Sequence, residues 1–271
     1  MKKLMYFTLM LVMIASISMF GAWSPDTQVA ATETRYYDSP IVSTVADTQI
    51  FYTSREVVEE GETSGGAPLY NSNEGYANAC GPLAGTAIVA FYDKYCPNLI
   101  PDWESFYPTT GKYRLQEANV RPVLDELYTL MQTNVKGDGV SESEFKTGLS
   151  TYVINHGYSI EYENARSSSW LNYNACKTAI DSNNVVVLFT TPGDVIDLGK
   201  FSDHDTATSI SIAGNHIMYA FGYIRIKYYN DNGLFRTDTY LKVSTGRSSM
   251  TFALFRVDSS NVEAAYRVIV E

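Results

Sequence analysis

The stretch Asn78-Ala79-Cys80-Gly81-Pro82-Leu83-Ala84 opens the first strongly helical segment of the chain. Cys80, Ala84, Ile88 and Phe91 fall at i, i+4, i+8 and i+11, one face of a helix. Asn78 is the predicted N-cap, and Pro97 and Pro101 end the element just past Tyr95. Cys80 therefore stands at a helix N-terminus, against the positive end of the helix dipole and its unpaired amides. That position favours thiolate, the nucleophilic form of the side chain.

Working outward, the spacing predicts three more helices. Residues 121–133 carry the apolar stripe Val123, Leu124, Leu127, Leu130 and Met131. Residues 141–155 open on Ser141-Glu142-Ser143-Glu144, a capping-box pattern, and stop at Gly157. The fourth spans 168–182. The period then changes to that of strands, at 185–191, 216–229, 239–245, 252–257 and 266–270, with Asn230-Asp231-Asn232-Gly233 as a hairpin turn. A helical first half and a sheet-rich second half predict an α+β fold, a helical lobe carrying Cys80 packed on an antiparallel sheet.

The N-terminus has a different character. Met1-Lys2-Lys3 precedes an apolar run to Trp23, and Val29-Ala30-Ala31 supplies small residues. This is the pattern of a secretory signal peptide over 1–31, with cleavage expected after Ala31. The run is long enough that a retained N-terminal anchor is the alternative. The rest is expected to be secreted or extracytoplasmic, and no other segment is long and apolar enough to cross a membrane. Residues 32–67 are polar, apart from a candidate strand at Ile50-Phe51-Tyr52, and form an N-terminal arm or a short pro-region. Residues 68–271 form the main domain.

A net charge of −10 repels phosphate backbones and argues against nucleic acid as a partner. Hydrophobic residues at 45% suffice for a core without disulfides. The three cysteines, Cys80, Cys96 and Cys176, leave at least one free thiol. A Cys96–Cys176 disulfide and two buried free cysteines are both open. The three histidines differ in setting. His156 lies at a helix end, where the dipole favours it. His204 lies in the polar Ser202-Asp203-His204-Asp205. His216 opens an apolar strand, and a single histidine there paired with Cys80 points to a general base for a thiol nucleophile. No metal-ligand spacing and no phosphate-binding glycine pattern occurs, so neither metal nor cofactor is expected.

Cys80-Gly81-Pro82-Leu83-Ala84, with Ile88 and Tyr92, resembles the nucleophile helix of bacterial papain-like cysteine peptidases of the C39-like kind (clan CA). Asn215-His216-Ile217 through Gly222-Tyr223 resembles their histidine strand. The likeness spans roughly residues 68–258. It implies a papain-like fold, a Cys80 nucleophile, a His216 base, a third residue orienting the histidine, an oxyanion hole, and protein or peptide substrates. At the orienting position the family has Asn or Asp. Here Ser244 and Thr245 stand there, so the candidates are a hydroxyl of Thr245 or Ser244, a plain dyad, or an aspartate from elsewhere, with Asp203 and Asp205 first. The family's oxyanion glutamine position holds Glu74, which leaves Asn73 as the implied amide donor, with Asn71 and Asn78 as rivals. Two other functions fit the same residues: a cell-wall amidase or endopeptidase, and a non-catalytic binding protein, the latter suggested by 21 tyrosines.

Overall fold

The computed structural model describes residues 33–38, 41–42, 49–64, 67–70, 75–101, 118–201, 204–247 and 250–271. The expected leader at 1–31 lies outside the described residues. Thr34–Glu271 form one compact unit.

Strands β1 (Arg35–Tyr36), β2 (Ile41–Val42), β3 (Gln49–Tyr52) and β4 (Ser54–Glu62) come first. Helices α1 (Cys80–Asp93) and α2 (Val120–Leu130) follow, then the short β5 (Val140–Ser141) and α3 (Glu142–Asn155). After β6 (Ile160–Asn164), β7 (Arg166–Ser167) and β8 (Trp170–Leu171) comes α4 (Tyr173–Asp181). The remainder is sheet: β9 (Val185–Thr190), β10 (Gly193–Phe201), β11 (His204–Ile212), β12 (His216–Asn230), β13 (Gly233–Ser244), β14 (Phe252–Arg256) and β15 (Val262–Val270).

Eleven of the described strands form one sheet, with the order β2-β11-β10-β14-β13-β12-β9-β15-β6; β3 also pairs with β11 and β4 with β12. Every pairing is antiparallel. The α+β expectation holds at this level, as mixed helix and sheet with a large antiparallel sheet.

The period-2 rule explains how the sheet is buried on two sides. Val185, Val187 and Phe189 of β9 join the core shared with α1, α2 and α3, while Val186 and Leu188 join the core shared with α4. On β12, Ile217, Tyr219 and Phe221 face the first core, and Met218 and Ala220 the second. A strand buried on both faces has no polar side, which is why 185–189 reads as an unbroken apolar run. Helix α1 is buried along its whole length, as expected of a helix enclosed on all sides. Burial of Leu83, Ile88 and Phe91 contributes roughly 1.5–3 kcal/mol each, and it fixes Cys80 at the end of a rigid rod.

The capping box at Ser141 forms as its spacing predicts: Glu144 N–H donates to Ser141 Oγ, and Glu144 Oε2 accepts from Ser141 N–H at 2.9 Å. The fourth helix begins later than 168, because Trp170–Leu171 pairs with Arg166–Ser167 before Asn172 caps α4. Two strand pairs exceed their sequence signal. Segment 54–62 is rich in glutamate, yet it pairs along β12 from Ser54↔Tyr229 to Glu62↔Gly222. Its acids find cations on neighbouring elements: Glu59 meets Lys177 and Arg225, and Lys242 lies between Glu60 and Glu62. β3 and β4, from the segment 32–67, are thus built into the same sheet as the strands of the main domain. The second pair is β10 with β11, which runs antiparallel from Gly193↔Ile212 to Phe201↔His204.

Cys80, Cys96 and Cys176 are all free and buried. The Cys96–Cys176 disulfide does not form. Cys96 lies in the α1 core near the carbonyl of Val270, and Cys176 lies in the α4 core near the carbonyl of Ala165.

Candidate active site

Helix α1 starts at Cys80 as its periodicity predicts, but its cap differs. Asn78 takes a left-handed conformation (φ 57°), which asparagine tolerates better than most residues. The N-cap position falls to Ala79, which has no capping side chain. The orphan amides of the first turn need another acceptor. Asp38, from the segment after β1, supplies it. Ala79 N–H donates to Asp38 Oδ2 at 2.8 Å, and the nearby Cys80 amide adds a weaker favourable interaction with this carboxylate. Gly81 lets α1 approach β5 closely, since a Cβ there would lie 2.5 Å from Val140 Cγ2.

His216 arrives from the other side, at the first residue of β12, held by the ladder pair with Thr190 of β9. Its ring is fully buried. Nε2 lies 2.6 Å from the backbone carbonyl of Thr245, at the end of β13. A carbonyl only accepts, so at this short contact Nε2 is the donor, and Nδ1 meets a second carbonyl at longer range. Nδ1 lies 3.4 Å from the carbonyl of Tyr37.

The geometry brings Cys80 and His216 together. The Cys80 sulfur, a His216 ring nitrogen and an Asp38 carboxylate oxygen all lie within 4.8 Å of one another. Three ligand atoms this close are within reach of a single metal ion. The guanidinium of Arg247, however, is electrostatically coupled to both Asp38 and Cys80 and opposes a cation there.

The electrostatics depart from the simple helix-dipole expectation. Burial pushes the Cys80 thiol well above its ordinary range, and the Asp38 carboxylate pushes it further; backbone amides of Ile217 and Gly81 and the charge of Arg247 pull the other way without overcoming this. Burial, followed by Arg247, pushes His216 down to about 4. Burial also raises Asp38 and lowers Arg247. Cys80 is 1% exposed and His216 0%. In this conformation the pair is a neutral thiol beside a neutral imidazole, sealed from solvent.

The other predicted site residues fall in different places. Thr245 adjoins His216, but through its main chain: its hydroxyl donates to the carbonyl of Met250 and accepts from Arg247 N–H. Ser244 lines a small enclosed cavity with Cys80, Leu83, Ile217 and Tyr219. Asn78 turns away, donating to Asn134 Oδ1 at 3.0 Å. Asn73, Asn71, Glu74 and Asp203 lie outside the described residues. Asp205 is placed by its backbone, opposite Tyr52 of β3. His156 caps α3 at its C-terminus, with Nδ1 2.8 Å from the Tyr152 carbonyl. A larger surface cavity of about 520 Å³, between Trp170, Tyr173, Arg225, Asp238 and Asp258, includes neither Cys80 nor His216.

Two residues of the site carried no sequence signal. Asp38 is one acid in a polar segment, brought to Cys80 by tertiary pairing, of β1 with β5 and of the same segment with Asn215. Arg247 follows the histidine hairpin in sequence, and no local pattern marks it as buried near a thiol. Comparison with family models, with curated proteins and with solved structures finds no match to this chain.

Proposed function

We propose that the protein is an exported papain-like cysteine peptidase that cleaves peptide bonds through Cys80 and His216. The observation that carries this reading is the convergence of a thiol at a helix N-terminus with an imidazole held by the main chain. With Nε2–H bonded to the Thr245 carbonyl, Nδ1 is the nitrogen available to take the Cys80 proton. The thiolate adds to the substrate carbonyl. The Cys80 amide, beside the Asp38 carboxylate at the start of α1, is the donor for the developing oxyanion. Collapse of the adduct expels the amine, which takes that proton from Nδ1. Water then attacks the thioester and gives a proton to Nδ1; collapse releases the acid, and His216 passes the water's proton to sulfur. No cofactor takes part. Export rests on the leader pattern of residues 1–31.

The Thr245 carbonyl supplies a dipole in place of a full charge, so it fixes the ring and stabilises the imidazolium less than a carboxylate would. A cell-wall amidase would use the same pair. A binding protein is favoured less, because its main support was the tyrosine count, and Tyr36, Tyr52, Tyr70, Tyr152, Tyr219, Tyr228 and Tyr240 are fully buried core residues.

The test is turnover on two substrates, casein and purified peptidoglycan, by the Asp38→Ala chain, which lacks the carboxylate beside Cys80, with the same chain carrying Cys80→Ala beside each. Cleavage of casein that Cys80→Ala abolishes supports the peptidase. Release of wall fragments alone would favour the amidase, and turnover of neither would favour the binding protein.

A further inference from the structure

Segment Thr34–Asp38 lies across the Cys80–His216 pair as an extended peptide held on both edges. On one side β1 pairs antiparallel with β5, Arg35↔Ser141 and Tyr36↔Val140. On the other, Tyr37 N–H donates to the Asn215 carbonyl at 3.2 Å, and Asn215 Nδ2 donates to the Arg35 carbonyl at 2.9 Å. Gly139 makes the approach possible. It has φ +72°, and a Cβ there would lie 1.7 Å from the Tyr36 carbonyl oxygen.

The side chains are seated as well. Arg35 pairs with Glu144 at 2.6 Å and donates to the Gly139 carbonyl at 2.7 Å. The Tyr36 ring is buried edge-on to Phe189, centroids 5.2 Å apart, and its hydroxyl donates to Glu263 at 2.7 Å. Tyr37 brings its carbonyl to His216, and Asp38 places a carboxylate on the amides of Ala79 and Cys80. Arg247 completes an anion site. It is 8% exposed, its Nε and Nη2 have no hydrogen-bond partner, and its charge is coupled to both Asp38 and Cys80.

A carboxylate beside a nucleophile, at the end of an extended peptide, is the arrangement left by the acid product of peptide hydrolysis. We propose that Thr34–Asp38 is a resident, product-like occupant of a peptide groove between β5 and Asn215, so that the folded chain blocks its own Cys80. The groove takes, in trans, an extended peptide with an aromatic side chain in the Tyr36 pocket and a carboxylate on the Ala79–Cys80 amides. This rests on the peptidase reading for its chemistry, but blockage of the thiol can be read without turnover.

The experiment measures iodoacetamide alkylation of Cys80 in full chains carrying Cys96→Ala and Cys176→Ala. In the native chain Cys80 should react at least a hundredfold more slowly than in urea, and rapid native alkylation would overturn the proposal without any further variant. Asp38→Ala and Gly139→Ala should each speed native alkylation at least tenfold. The synthetic peptide Thr-Arg-Tyr-Tyr-Asp, added to the faster chain, should slow it again. Unchanged rates in variants that keep native near-ultraviolet circular dichroism, or no effect of millimolar peptide, would also overturn it. A thiol that is freed yet cleaves no peptide would leave the arm inference standing and remove the peptidase. Peptide cleavage with unaltered alkylation would do the reverse.

Discussion

His216 Nε2 and the backbone carbonyl of Thr245 lie 2.6 Å apart, so the partner that orients the imidazole belongs to the main chain. A side-chain substitution at 245 leaves that acceptor in place. The hydroxyl instead ties Thr245 to Met250 and Arg247.

Thr245→Ala should therefore cost less than tenfold in kcat/KM, the loss expected when about one hydrogen bond in the supporting turn disappears (~0.5–1.5 kcal/mol). Steady-state rates on a fluorogenic peptide decide this. A loss on the order of a thousandfold would mean that the hydroxyl acts on the ring.

Arg247→Gln should raise the His216 midpoint from about 4 toward the ordinary histidine range, because the guanidinium now disfavours the imidazolium. Titration of the His216 ring protons by NMR reads it directly. A midpoint that stays put or falls would show that burial alone sets the value.

Stability should depend on the same group. Between the ordinary value of 6.5 and about 4, the unfolded chain binds a proton at His216 that the folded chain does not. Stability is thus intact above pH 6.5, falls as the pH drops through this window, and levels off near 4. The loss from this group is on the order of 3 kcal/mol. Cys80, Asp38 and Arg247 face the ring, and Asp38, raised by burial, contributes with the opposite sign at the acid end. The readout is therefore the difference between wild type and His216→Gln in urea melts from pH 7 to 4. Parallel curves would contradict the assignment.

Cys96→Ala and Cys176→Ala should keep full activity. Both thiols are buried, Cys96 near the Val270 carbonyl and Cys176 near that of Ala165. Loss of each sulfur should cost stability of roughly 1 kcal/mol. Thermal melts and peptide rates on the two variants check it, and an inactive, folded Cys176→Ala chain would move the nucleophile.

Much of the frame is legible in the sequence. The α1 periodicity, the Ser141 capping box and the apolar run of β9 are local signals, and each appears where its pattern lies. The pairing of Cys80 with His216 follows from one thiol at a helix start and one histidine at a strand start. What escapes is non-local. The 54–62 strand hides because its glutamates are matched by Lys177, Arg225 and Lys242 from distant segments. Asp38 and Arg247 are surface-type residues taken out of solvent, Asp38 partly and Arg247 almost wholly, by tertiary contact, and after burial itself they set the charge around the thiol. The Thr245 carbonyl carries no residue signature at all, since every residue has one. The thiolate expected from the helix dipole is overridden in this conformation by burial and by the Asp38 carboxylate.

If Cys80 carries the acyl group and His216 moves its proton, the intermediate is visible by intact-mass and peptide-level mass spectrometry of the Asp38→Ala chain mixed with a peptide ester. A transient acyl adduct is expected on Cys80, absent in the Cys80→Ala chain and formed at least a hundredfold more slowly in His216→Ala. An adduct on Cys96 or Cys176, or undiminished turnover by the Cys80→Ala chain, would contradict it.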